Sequence, residues 1–368
     1  MEHAYTDVVE EFKYDSCNEQ YNMAYLQWRR HADTKIAFRF SDNSLENMYV
    51  SGTAAAKQNG GMAEREALMR CGLAVGGALL LFFICEFAGN SLMTGVLRLM
   101  GIYIRSDFLQ LPKSESQWAV VVGRSIVTLV KYLLPAVFLI RFGKLPRKVF
   151  APVVRSGIPE LLAGIGAGMI IAGFYCCIAQ RNGVETAQTV FSYETTGAIA
   201  AYGVFNMVIV SVLAELFLHG TILTLLRQFG DPFAIIATSV IAFLFPNDIP
   251  DRVGELLIGL TAAYLLLRSG SMINCIILRI VYTGLNYARL VAVYTGNTFR
   301  LWEYVLLLIS LGTLALMCYV MKHRHQLRLS NRKIILTEYQ KYMALVQTVT
   351  MLPWLAVSVL LAMVQVFY

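Results

Sequence analysis

Long, unbroken apolar stretches constrain this chain more than any other feature. Residues 346–367 carry no charged side chain, and residues 160–180 carry only Glu160. The hydrocarbon layer of a bilayer is crossed by about 20 mostly apolar residues in a helix. Only helices and closed barrels can cross it, because every backbone polar group there must be satisfied within the protein. Barrel strands would alternate apolar and polar residues, whereas these runs are continuous. Composition agrees: 57% of residues are hydrophobic and 15% charged, with a mean hydropathy of +0.56. Soluble domains have roughly 45–50% apolar and 25% charged residues. The expected fold class is all-α, a polytopic membrane helix bundle.

Nine spans are expected, near 68–90, 118–140, 160–180, 197–219, 232–247, 253–267, 271–293, 302–321 and 346–367. The fifth and sixth are short and suit tilted or partly inserted helices. Residues 1–66 form a separate region, with Asp7, Glu10, Glu11, Asp15, Arg29, Arg30 and Lys35 among scattered aromatics. Its start has neither the basic residues nor the apolar stretch of a signal peptide, so it is expected to be retained as a water-exposed arm. The stretch SGTAAAKQNGG at 51–61 reads as a flexible link to the bundle, which occupies 67–368.

Basic residues set the expected orientation. Arg141, Lys144, Arg147, Lys148 and Arg155 follow the second span, and Lys322, Arg324, Arg328, Arg332, Lys333 and Lys341 follow the eighth. Both loops should face the cytosol, with the N-terminus cytoplasmic and the C-terminus outside. The net charge of +7 is then an orientation signal with contact to anionic lipid head groups, and no nucleic-acid partner is implied. The seven cysteines show neither metal nor disulfide spacing. Neither a cofactor nor a metal site is expected.

Charged groups within spans are costly, about 2.5–3.5 kcal/mol each at mid-helix, and mark sites of function or pairing. Glu86, Arg124, Lys131, Glu215, Glu255 and Arg279 are such groups, and Asn286 is a further intramembrane polar residue. Arg124 and Lys131, seven apart, share a helical face and suit a polar cavity or an ion-pair network, with Glu86 and Glu255 as available partners. Glu215 and His219 stand four apart in AELFLHG, again on one face, with Gly220 marking a close helix approach. Such a pair serves acid/base chemistry or metal binding, or simply bonds to itself.

Residues 205–290 resemble the CPBP family, also called the CAAX-protease and bacteriocin-processing or Abi family of intramembrane proteases. That family is related to the type II CAAX prenyl endopeptidases and lysostaphin-resistance protein A. Its members show E-E-x-x-x-R-G on one helix, then F-x-x-x-H after a short Arg-Phe-Gly turn. A Gly-rich helix ending in Arg-Thr-Gly-Ser follows, and then H-x-x-x-N. Here AELFLHG at 214–220 is followed by LLRQFGDPFAIIATSVIAFLF, then LIGLTAAYLLLRSGSM at 257–272 and INCIILRIVYTGLN at 273–286, in the same order and spacing. The resemblance implies a four-helix core at about 197–293.

The polar positions differ. The first glutamate falls on Ala214 and the second on Glu215, while the arginine falls on His219. Phe243 matches, but its histidine falls on Asn247, and the last motif has Arg279 and Thr283 in place of histidine and asparagine. The resemblance implies a glutamate that activates water for attack on a peptide bond, helped by histidines and an asparagine. Arg279 cannot exchange protons as a histidine does, because its guanidinium stays protonated. A buried Arg279 facing Glu215 would hold the carboxylate in an ion pair.

Three functions follow as expectations, and enzymatic activity is left open. The first is a catalytically degenerate member that binds a peptide, a lipidated protein tail or a partner transmembrane helix in the plasma membrane. The second is an active endopeptidase with Glu215 as base, His219 as helper and Asn247 as oxyanion donor. Such an enzyme would process a prenylated or secreted peptide, or confer bacteriocin self-immunity. The third is a small-solute transporter, suggested by Glu86, Arg124, Lys131 and the short fifth and sixth spans.

Overall fold

The computed structural model describes residues 19–31, 34, 36, 54–102, 117–154, 157–179, 196–245, 249–294, 301–323 and 336–367. Among these residues the fold is all-helical, and the sole β-type pairing is an isolated bridge between Val153 and Ser271. In chain order the helices are α1 (Glu19–His31), α2 (Ala54–Leu99), α3 (Gln117–Gly143), the single turn α4 (Arg147–Phe150) and α5 (Ile158–Ala179). A continuous rod, α6, occupies 196–229. It is followed by α7 (Asp231–Phe243), α8 (Ile249–Ser269), α9 (Met272–Tyr294), α10 (Leu301–His323), α11 (Glu338–Val346) and α12 (Met351–Phe367).

Helices stand at all nine places where spans are expected, but they are not equivalent. Five are long and apolar enough to cross a membrane: parts of α2, α3, α5, α6 and α10. A sixth is possible if α11 and α12, which meet at 85°, count as one broken span. The 13-residue α7 is apolar but short. Helix α8 is long enough but carries Asp251, Arg252, Glu255 and Arg268, and α9 carries Arg279 and Arg289. The rows of outward-facing Val122, Ile126, Val130, Leu133 and Val137 on α3, and of Leu306, Leu307, Leu314 and Met317 on α10, lie where a bilayer would cover them.

Of the stretch at 51–61, the described part is helical from Ala54 onward and continues into α2. Three alanines open it, and Gly60 and Gly61 each cost only about 1 kcal/mol in a helix that is already propagating. The boundary expected at 66/67 therefore falls inside α2, a helix of 46 residues that extends about 69 Å at 1.5 Å per residue.

The arm is also less free than expected. Tyr21, Tyr25 and Trp28 of α1, spaced one and two turns apart, are buried against the bundle. The Trp28 indole N–H donates to the Gly143 carbonyl at 3.0 Å, and the Tyr25 hydroxyl donates to the Thr224 carbonyl at 3.3 Å. The Gly143 carbonyl closes α3 and has no backbone donor within its own helix, so the indole satisfies it.

Small residues let the spans approach closely. Where α5 crosses α10, a β-carbon on Gly166 would stand 2.7 Å from the Gly312 carbonyl oxygen, and one on Gly312 would stand 2.6 Å from that of Gly166. At the other crossing that matters here, Gly259 of α8 lies against the backbone of Ser239 on α7, whose α-carbon would be 3.0 Å from an added β-carbon. The turn between α8 and α9 is the RSGS of 268–271. Gly270 there takes a positive φ of 63°, the Ser269 hydroxyl receives the Ser271 N–H at 3.2 Å, and the Met272 N–H bonds to the Pro152 carbonyl at 2.9 Å. That bond ties the turn between α8 and α9 to the segment after α4.

Candidate functional site

Helix α6 is not uniform. Around its central α-helical turns, 205–210 and 216–223 adopt wider π-type turns. Such turns shift side chains out of simple register and recur at functional sites. Glu215 sits at the start of the second wide stretch and His219 inside it, and neither has any exposed surface. The hydroxyls of Thr221 and Thr224 donate to the carbonyls of Phe217 and His219, at 2.5 and 3.4 Å. Gly220 permits the rod to lie against the Phe150 carbonyl of α4.

Four side chains from three helices meet around Glu215. Its Oε2 is 2.6 Å from Nδ1 of His219, and its Oε1 accepts from Nε of Arg279 on α9 at 2.5 Å. Nη1 of Arg279 donates to both oxygens of Glu255 on α8, at 2.7 and 2.8 Å. The second ring nitrogen of His219, Nε2, lies 3.1 Å from the Gly259 carbonyl. Arg279 thus bridges two carboxylates with different edges of its fork, a geometry that a lysine ammonium cannot reproduce.

Hydrogen-bond chemistry counts the protons. The Gly259 carbonyl can only accept, so Nε2 of His219 carries hydrogen. One further proton then lies between Nδ1 and Glu215. Whichever partner holds it, the His219–Glu215 pair is neutral as a unit, and the Arg279 cation offsets the Glu255 carboxylate. The cluster therefore enters a low-dielectric interior with no net charge, the condition under which buried ionic groups are tolerable.

A second pair lies nearby. Nζ of Lys131 on α3 donates to Oε1 of Glu86 on α2 at 2.9 Å, and sits 5.2 Å from the ring centre of Phe82 and 5.6 Å from that of Tyr132. Tyr132 feels the charges of both this pair and Glu255–Arg279. Phe82 packs edge-on to Tyr132 and Phe245, at 5.2 and 4.6 Å between ring centres, and parallel to Phe217 at 6.0 Å, which closes the space between α2, α3 and α6.

Of the residues singled out in the sequence, Glu215, His219, Arg279 and Glu255 form one cluster, and Glu86 and Lys131 form the adjacent pair. Ala214 is buried beside Glu215. Thr283 and Asn286 follow Arg279 by one and two turns of α9 and are half-buried. Among the described residues, the buried Oδ1 of Asn286 and Nη2 of Arg279 have no hydrogen-bond partner. Arg124 is half-buried on α3, two turns before Lys131. Asn247 lies outside the described residues.

The sequence could not reveal Gly259, because its role belongs to a backbone carbonyl, nor the wide turns that carry His219. Among the described residues, no group of three or more His, Cys, Asp or Glu side chains is placed to hold a metal ion.

A carboxylate acting as general base must reach the proton of its water. Here one oxygen of Glu215 holds a guanidinium and the other an imidazole, and the residue is fully enclosed. No protein-family model, curated protein or solved structure matches the chain.

Proposed function

We propose that this chain is a membrane-embedded binding or regulatory protein built on a CPBP-like helical core, with no proteolytic activity of its own. The observation that carries the reading is the double engagement of Glu215 by Arg279 and His219 in a site without exposed surface. The residue that the family resemblance assigns to water activation is held as an ion-pair partner. Deprotonating a water there would first require displacing Arg279 or His219 from the carboxylate oxygens, and so breaking a buried hydrogen bond to a charged group.

The reading includes nine crossings, with α7 and α8 as a short hairpin inside the bundle, the N-terminus in the cytosol and the C-terminus outside. The basic residues of the loops after α3 and α10 support that orientation. The bound partner would be a peptide, a lipidated tail or a transmembrane helix lying against α6 to α9, within a plasma membrane.

The test is cleavage by the purified full chain in lipid nanodiscs, with prenylated and unprenylated peptides as substrates and Glu215→Gln as the control. The reading expects no cleavage above the control. Glu215-dependent cleavage would overturn it in favour of an atypical Glu/His/Asn endopeptidase.

A further inference from the structure

Helix α6 ends in a tight turn, Arg227–Phe229, and the chain then reverses at Gly230, with φ 120° and ψ 139°, to enter α7. Only glycine adopts that φ at low cost. This corner is enclosed by the segment containing α1. Arg227 is 1% exposed; its Nη2 donates to Oδ1 of Asn22 at 2.7 Å and its Nε to Oδ1 of Asp231 at 3.1 Å. The guanidinium also lies 5.0 Å from the ring centre of Tyr21 and 4.8 Å from that of Tyr25. Gln228 adds a bond from its side-chain amide to the Ile36 carbonyl at 3.1 Å. The Thr34 hydroxyl donates to the Phe142 carbonyl at 3.1 Å.

The corner sets the start of α7, and α7 in turn sets Gly259. Ser239 on α7 packs against Gly259, and the Gly259 carbonyl lies 3.1 Å from Nε2 of His219. Each contact in the series from Asn22 to Arg227, Asp231, α7, Gly259 and His219 is direct.

We infer that α1, with Thr34 and Ile36, is a strap that positions the polar centre: by fixing Arg227 and Asp231 it holds the Gly230 corner, and through α7 it holds the carbonyl that orients His219. Asn22 is a positioning residue in this device. The strap acts on the geometry of the cluster, whether or not the cluster cleaves anything.

The experiment is hydrogen exchange by mass spectrometry on the full chain in nanodiscs, with nitrogen-15 NMR of the His219 ring. The Asn22→Ala chain loses a hydrogen bond to a charged group. It should speed exchange on the order of tenfold at 231–243 and 255–262, leave 158–179 and 301–323 unchanged, and move the His219 ring resonances. The Asn22→Asp chain, with a charge-assisted bond to Arg227, should slow exchange in the same segments. Faster exchange confined to 19–36 would overturn the inference and make α1 a passive cover. Equal acceleration over 158–179 and 301–323 would overturn it as general destabilisation, as would an Asn22→Asp chain that behaves like Asn22→Ala.

Discussion

Arg279 reaches from α9 to Glu215 on α6, 64 positions earlier in the chain, and its Nε stands 2.5 Å from Oε1. The same side chain also holds Glu255 on α8. One guanidinium thereby joins three helices, and its removal has a definite consequence. The Arg279→Ala chain leaves the buried Glu255 carboxylate without its cation and Glu215 without a charge-assisted hydrogen bond, and should lose about 3–5 kcal/mol of stability. Arg279→Lys should lose a large part of that, because a single ammonium cannot serve both carboxylates. Thermal unfolding of the purified variants in one detergent measures both.

Glu215 and Arg279 should also be coupled. In a double-mutant cycle with Glu215→Gln and Arg279→Gln, the double variant should be more stable than the two single losses add up to, by about 1.5 kcal/mol or more. Additive losses would mean that the two groups do not share a bond.

His219 has both ring nitrogens committed, to Glu215 and to the Gly259 carbonyl. His219→Phe keeps a planar ring, a larger one, but strands the buried polar groups of Glu215 and Gly259, at about 1–3 kcal/mol each. Its unfolding temperature should fall well below that of His219→Gln, whose amide retains one donor for either partner.

The Lys131–Glu86 pair behaves differently because its side chains are 18% and 29% exposed. Both residues lie in candidate spans, where that surface faces lipid and an unpaired charge costs about 2.5–3.5 kcal/mol, whereas a retained pair costs far less. Exchanging the two residues, Lys131→Glu with Glu86→Lys, keeps the pair and should cost far less stability than Lys131→Glu alone.

Much of the polar centre is legible in the sequence. The four-residue spacing of Glu215 and His219 places them on one helix face, and the order of AELFLHG, the RSGS turn and INCIILR aligns Arg279 with the same centre. The span count is less legible, because α8 and α9 bury charges that only their partners excuse: Glu255 reads as a break in an apolar helix until Arg279 is beside it. The docking of α1 does have a signal, since Tyr21, Tyr25 and Trp28 recur at i, i+4 and i+7, but the charges around them hide that stripe. Nothing local announces that Arg227 will be enclosed by Asn22, because the two are 205 positions apart.

The most direct test of the occupied carboxylate is an experimental map of the full chain in a lipid disc, fine enough to show ordered water. The account predicts both oxygens of Glu215 within hydrogen-bonding distance of Arg279 and His219, with no water on either. Arg279 bound to Glu255 alone, with a water resting on Glu215 between His219 and Asn247, would contradict it.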